Sequence, residues 1–166
     1  MIIDGGKHGH FVNASEGEGW EIRHSGTRRL LFPHSLYDFN LKYPHPLTWY
    51  DKKERLYYQP DRKFSTDLGS TPFFTWQFLP KDQFPRSYCF HDSAWIHGGL
   101  YIADELDGEF RWRKVSKWHS NRLLWRWTYA EGARMRNPFI FAGVTLGASF
   151  SGVKGRICRL FRRNRG

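Results

Sequence analysis

Between Trp20 and about Lys63 the apolar residues come in short β-branched or aromatic runs, TRRLLF, LTWY and RLYYQ, set apart by Pro, Asp and Asn. Such runs suit strands, because branched and aromatic side chains pack well on a pleated surface while Pro and Asn interrupt the ladder. In LTWYDKKERLYYQ the charged stretch Asp51-Lys52-Lys53-Glu54 reads as a hairpin loop. A small antiparallel sheet is therefore expected ahead of everything else.

After Lys63 the pattern changes. Gly69 and Pro72 punctuate KFSTDLGSTPFF as a loop. From Arg86 onward helices are expected: RSYCFHDSAWIH, ended by Gly98-Gly99, then YIADELDGEFRW, then a longer helix from Lys117 to about Arg136 that Asn137-Pro138 terminates. In the third, Leu123, Leu124, Trp125, Trp127 and Tyr129 cover too wide an arc for a simple surface helix. Arg122 and Arg126 interrupt that arc, which leaves one side for a partner or membrane. The expected class is α+β: a small antiparallel N-terminal sheet, then a helical core of about three helices, then a basic C-terminal arm.

The 166 residues suffice for one domain with a hydrophobic core. Residues 1–19, polar and glycine-rich, read as a flexible N-terminal arm. Residues 20–136 read as the globular domain, with strands over 20–64, a loop over 65–85 and helices over 86–136. Residues 137–166 read as an apolar segment and a basic tail. Cys89 and Cys158 form no metal-ligand or redox spacing, so a reducing compartment is the default. The N-terminus has no apolar run of the kind a secretory signal carries.

The net charge of +10 is unevenly placed. Residues 1–108 carry −2, whereas residues 109–166 carry +12, with Glu109 and Glu131 as their only acids. An anionic partner is implied for that end, either phospholipid headgroups or nucleic acid. PFIFAGVTLGASFSGV is uncharged but falls short of the ~20 apolar residues of a spanning helix, so no transmembrane helix is expected. KGRICRLFRRNRG adds Arg156, Arg159, Arg162, Arg163 and Arg165 as candidate membrane or nucleic-acid contacts. Two readings of this end compete. Phe139, Phe141, Leu160 and Phe161 insert into an anionic membrane with arginines at the headgroups, or a core strand is followed by a solvated tail.

The residues with chemical potential lie in CFHDSAWIHGGLYIADELDGEF. On a helix over 86–97, His91 and Trp95 share a face and Asp92 points roughly 100° away. A second helix packed antiparallel would bring Asp104 to the other nitrogen of His91, fixing its tautomer as a general base acting on water requires. Asp92 would then be left to bind a hard cation such as Ca²⁺ together with backbone carbonyls of the Gly69 loop. The competing reading makes His91 a satisfied, partly buried histidine and both aspartates caps or ion-pair partners.

FSTDLGSTPFF, then YCFHDSAW, then IADELDGEF resembles the phage and prophage family known as domain of unknown function 1353. Thr66, Asp67, Ser70, Pro72, His91, Asp92, Ala103 and Asp104 carry the likeness, which spans about residues 45–135. Trp95 stands where the family usually has Tyr, and Phe110 lies later than the family's aromatic. The family's His-Asp and Ala-Asp pair is in turn similar to the core of phospholipase A2-like enzymes. That likeness implies His91 as the base, Asp104 as its orienting carboxylate, and Asp92 with the Gly69 backbone as calcium ligands. Asp67 would either supply a missing ligand or simply cap the loop, with Trp95 and Ser70 as support. Calcium would polarise an ester carbonyl. The calcium loop is reduced to a lone Gly69, and Trp95 lacks the hydroxyl of Tyr.

Three functions follow as expectations. One is a phage accessory or virion-associated protein with a phospholipase A2-like His/Asp site that hydrolyses lipid esters at a membrane with Ca²⁺. Another is a noncatalytic structural or assembly protein in which His91, Asp92 and Asp104 lock two helices together and the tail binds nucleic acid, membrane or another virion protein. The last, a metal phosphohydrolase, would need His34, His45, His97 or His119 around a transition metal, at spacings the sequence does not favour. The expected setting is a phage virion or an infected bacterial cell.

Overall fold

The computed structural model describes residues 1–29, 33–66 and 83–145. Its order is β1 (Ile3–Asp4), β2 (Gly9–Val12), β3 (Trp20–Arg29), β4 (Pro33–Leu41), β5 (Thr48–Asp51), β6 (Leu56–Gln59), β7 (Lys63–Thr66), α1 (Pro85–His97), β8 (Gly99–Ala103), β9 (Arg111–Lys114) and α2 (Lys117–Ala130). Residues 137–145 are again helical. The class is α+β, with mainly antiparallel sheets.

The described residues form two sheets. One runs β1-β2-β5-β6-β8-β9 and the other β3-β4-β7. The hairpin expected around Asp51 forms, pairing Asp51 with Leu56 and Trp49 with Tyr58. Asp51 Oδ1 accepts from the Lys53 and Glu54 amides at 3.0 Å each, which closes the turn.

The rings follow the pleat. Phe11, Trp49 and Tyr58 occupy neighbouring inward positions of the larger sheet, and all are buried. Phe11 meets Trp49 at 4.8 Å and Phe90 of α1 at 5.8 Å, and Phe90 meets Trp127 of α2 at 5.1 Å. In the smaller sheet Trp20, Phe39 and Phe64 form a second row, with Phe64 reaching His97 at the end of α1. Helix α1 thus joins both sheets.

Four expectations are corrected. The N-terminal segment is no loose arm, because β1 and β2 belong to the larger sheet and Phe11 and Ala14 are fully buried. YIADELDGEFRW is not a helix but most of a β-hairpin: Leu100 and Ile102 are buried and Tyr101 is not, a period of two that pairs β8 with β6 and β9. The last long helix stops at Ala130, and Asn137-Pro138 starts the next helical segment instead of ending one. Proline is tolerated in a first turn because its missing N–H would have no intrahelical acceptor there. That segment buries Asn137 and Ile140 and exposes Phe139, so its described part is not a core strand. The tail over 146–166 and the loop over 67–82 lie outside the described residues. No described helix is long and apolar enough to cross a membrane.

Candidate functional site

Helix α1 carries the expected His-Asp pair. Pro85 opens it and Gly98, at φ 78°, closes it in the left-handed conformation that glycine adopts without steric cost. Its N-terminal amides are capped from another element. Glu131, just past α2, accepts from the Ser87 backbone N–H at 2.9 Å and from the Ser87 hydroxyl at 2.5 Å, and pairs with Arg86 at 3.0 Å. Burial pushes the Glu131 carboxyl above its ordinary value, against the opposing pull of the Ser87 hydrogen bonds and the Arg86 charge.

His91 is 7% exposed. Its Nε2 lies 3.0 Å from Asn121 Oδ1 of α2, and its Nδ1 lies 3.6 Å from Asp92 Oδ1. An amide oxygen can only accept, so in this arrangement Nε2 donates to Asn121, while Nδ1 faces the Asp92 carboxylate. Asp92 Oδ2 accepts from the Thr66 hydroxyl at the end of β7. The set therefore ties α1, α2 and β7 together. Trp95 lies one turn on, its ring 5.5 Å from that of His91, with Lys117 Nζ at the start of α2 4.3 Å from the Trp95 centroid. Trp95 Nε1 is buried and has no hydrogen-bond partner among the described residues.

Asp104 does not take the place expected of it. It is the first residue past β8, is exposed, and has no hydrogen bond or ion pair among the described residues. The neutral amide of Asn121 holds the position at His91 Nε2 instead. The reason is the hairpin: once residues 99–103 form a strand, no second helix exists to return Asp104 to the ring. Of the expected cation ligands only Asp92 is described; Asp67 and Gly69, with the supporting Ser70, lie outside the described residues. No group of three His, Cys, Asp or Glu residues that could hold a metal occurs among the described residues. They do not make up a calcium cage, nor the histidine cluster of a phosphohydrolase: His97 pairs with Asp61 at 3.1 Å and His119 with Glu54 at 3.5 Å.

Sequence reasoning missed Asn121, and it missed a second polar network. Arg126 Nη1 contacts Asp51 Oδ2 at 2.5 Å and Glu54 Oε1 at 3.0 Å, while Tyr58 donates to Glu54. Burial, then the Glu54 hydrogen bond, raises the Tyr58 phenol far above its ordinary value. Burial works against the charged guanidinium, but the hydrogen bonds and charges of Asp51 and Glu54 outweigh it and hold Arg126 above its ordinary value. The only signal available was Arg126 standing in the apolar arc of α2. That arginine faces inward, toward a partner inside the fold.

Comparison of the chain with family models, with curated proteins and with solved structures finds no match in any of the three.

Proposed function

We propose that the chain is a noncatalytic phage structural or assembly protein, in which the His91 network is a latch between α1, α2 and β7 and the basic end meets an anionic or virion partner. The observation that carries this reading is the engagement of the set by the fold's own groups: Asn121 holds His91, and Thr66 holds Asp92. A buried polar network satisfied in this way rigidifies packing. The phage setting, with the virion or infected cell as location, rests on the sequence resemblance alone.

Calcium-dependent lipid ester hydrolysis is the second reading. It is favoured by one observation, the His91–carboxylate pair in which Nδ1 lies 3.6 Å from Asp92 Oδ1. One experiment separates the two: fatty-acid release from mixed anionic phospholipid vesicles, with calcium and with chelator, for wild type, His91→Ala and Asn121→Ala. The latch predicts no release under either condition, and a loss of about 1–3 kcal/mol of stability in Asn121→Ala as buried Nε2–H loses its acceptor. Calcium-dependent release, abolished in His91→Ala at unchanged melting temperature, would overturn it.

A further inference from the structure

From Arg111 to Arg122 the chain carries five basic residues and no acid. Arg111, Arg113 and Lys114 lie on β9, the terminal strand of the larger sheet, all four of whose residues are exposed, and Lys117 and Arg122 lie on α2, which begins three residues later. Arg111 is neutralised by Glu109 at 2.7 Å. Arg113, Lys114, Lys117 and Arg122 are exposed and have no ion-pair partner among the described residues. Four cations without a counter-charge, on a sheet edge and the adjoining helix, form a field that an anionic chain would neutralise.

Two tryptophans stand among them. Trp112 is 39% exposed and Trp118 is 58% exposed. Trp112 does not protrude as a membrane anchor would. Its indole lies across Gly99 of β8, where a Cβ would sit 2.7 Å from the ring, and meets Tyr101 edge-on at 5.1 Å. Glycine there gives the ring a seat on the backbone, and the seated ring remains partly open to solvent. A held aromatic surface bordered by unpaired cations suits stacking of nucleobases with phosphates at its margins.

We propose that the β9 edge and the start of α2 bind single-stranded nucleic acid without sequence preference, with Trp112 as the stacking platform and Arg113, Lys114, Lys117 and Arg122 along the backbone. The inference shares with the functional reading above only the anionic partner. It assigns that partner to β9 and α2 and not to the tail. The acidic turn between β8 and β9, holding Asp104, Glu105, Asp107 and Glu109, bounds the surface at one end and directs the strand toward α2.

The test is fluorescence anisotropy with a labelled oligothymidylate of about 16 nucleotides, using the full chain over a salt series. Trp112→Ala is expected to weaken binding about tenfold and Trp112→Phe to restore most of it. Arg113→Glu with Lys114→Glu is expected to flatten the salt dependence, by about 0.7 in log–log slope for each phosphate that is no longer neutralised. Arg162→Ala with Arg163→Ala and Arg165→Ala is expected to have the smaller effect. Melting temperatures check that each variant folds. Binding abolished by the tail variant and untouched by the β9 variants would overturn the proposal, as would equal affinity for duplex of the same length. Binding only to phosphatidylglycerol vesicles would overturn it too, while leaving the anionic-partner reading intact.

Discussion

Arg126 Nη1 lies 2.5 Å from Asp51 Oδ2, and the aspartate is fully buried. The pair fastens α2 to the turn between β5 and β6 and is joined there by Glu54, Tyr58 and His119. Removing one partner leaves a buried charge without its counterion. Arg126→Leu is therefore expected to cost about 3–5 kcal/mol, measured by denaturant unfolding. A double variant with Asp51→Asn should recover part of that loss; equal losses that simply add would mean the two residues act independently.

The Glu131 cap makes stability depend on pH in a defined direction. Its carboxyl is raised in the folded state above an ordinary value of 4.5, so the folded chain holds that proton more tightly than the unfolded chain. The corresponding stability is present below 4.5 and is lost as pH rises through the folded value. Glu131→Gln cannot ionise and escapes this loss. Denaturation of both proteins across that window should show the variant gaining on the wild type as pH rises, and a constant difference would refute the assignment.

Phe11 offers a sharp check on the N-terminal strands. It is fully buried and touches Trp49 and Phe90. Phe11→Ala is expected to destabilise by about 3–5 kcal/mol, as in a well-packed core. A residue on a loose arm would change stability by no more than about 0.5 kcal/mol, so a single melting curve decides.

Sequence patterning carried the central strands and α1 well, because β5, β6 and the Asp51 turn announce themselves by aromatic runs around a charged break, and α1 by its glycine stop. It failed where the local signal was ambiguous. LYIA alternates over too few residues to declare itself against the helix-like ADELDGEF beside it, and only pairing with β6 decides the matter. The polar opening residues hide Phe11 among glycines whose role is tertiary: at Gly9 a Cβ would sit 1.9 Å from the Tyr50 carbonyl oxygen. As for the site, His91, Asp92 and Trp95 were legible as neighbours on one helix, whereas Asn121 lies thirty positions away in sequence. No spacing rule connects residues that far apart.

The interleaving of the two sheets has a consequence for how the chain reaches its native state. Residues for the smaller sheet are complete once β7 has been made, whereas the larger one must wait for β8 and β9 to arrive beyond α1 and add to β6. Closing such distant pairings requires long loops to be drawn in before the strands reward it, which slows assembly. During synthesis, then, β6 emerges with an open edge and an uncovered row of aromatic rings. That interval, which ends only when α2 docks, is when a newly made chain is most exposed to association with its neighbours.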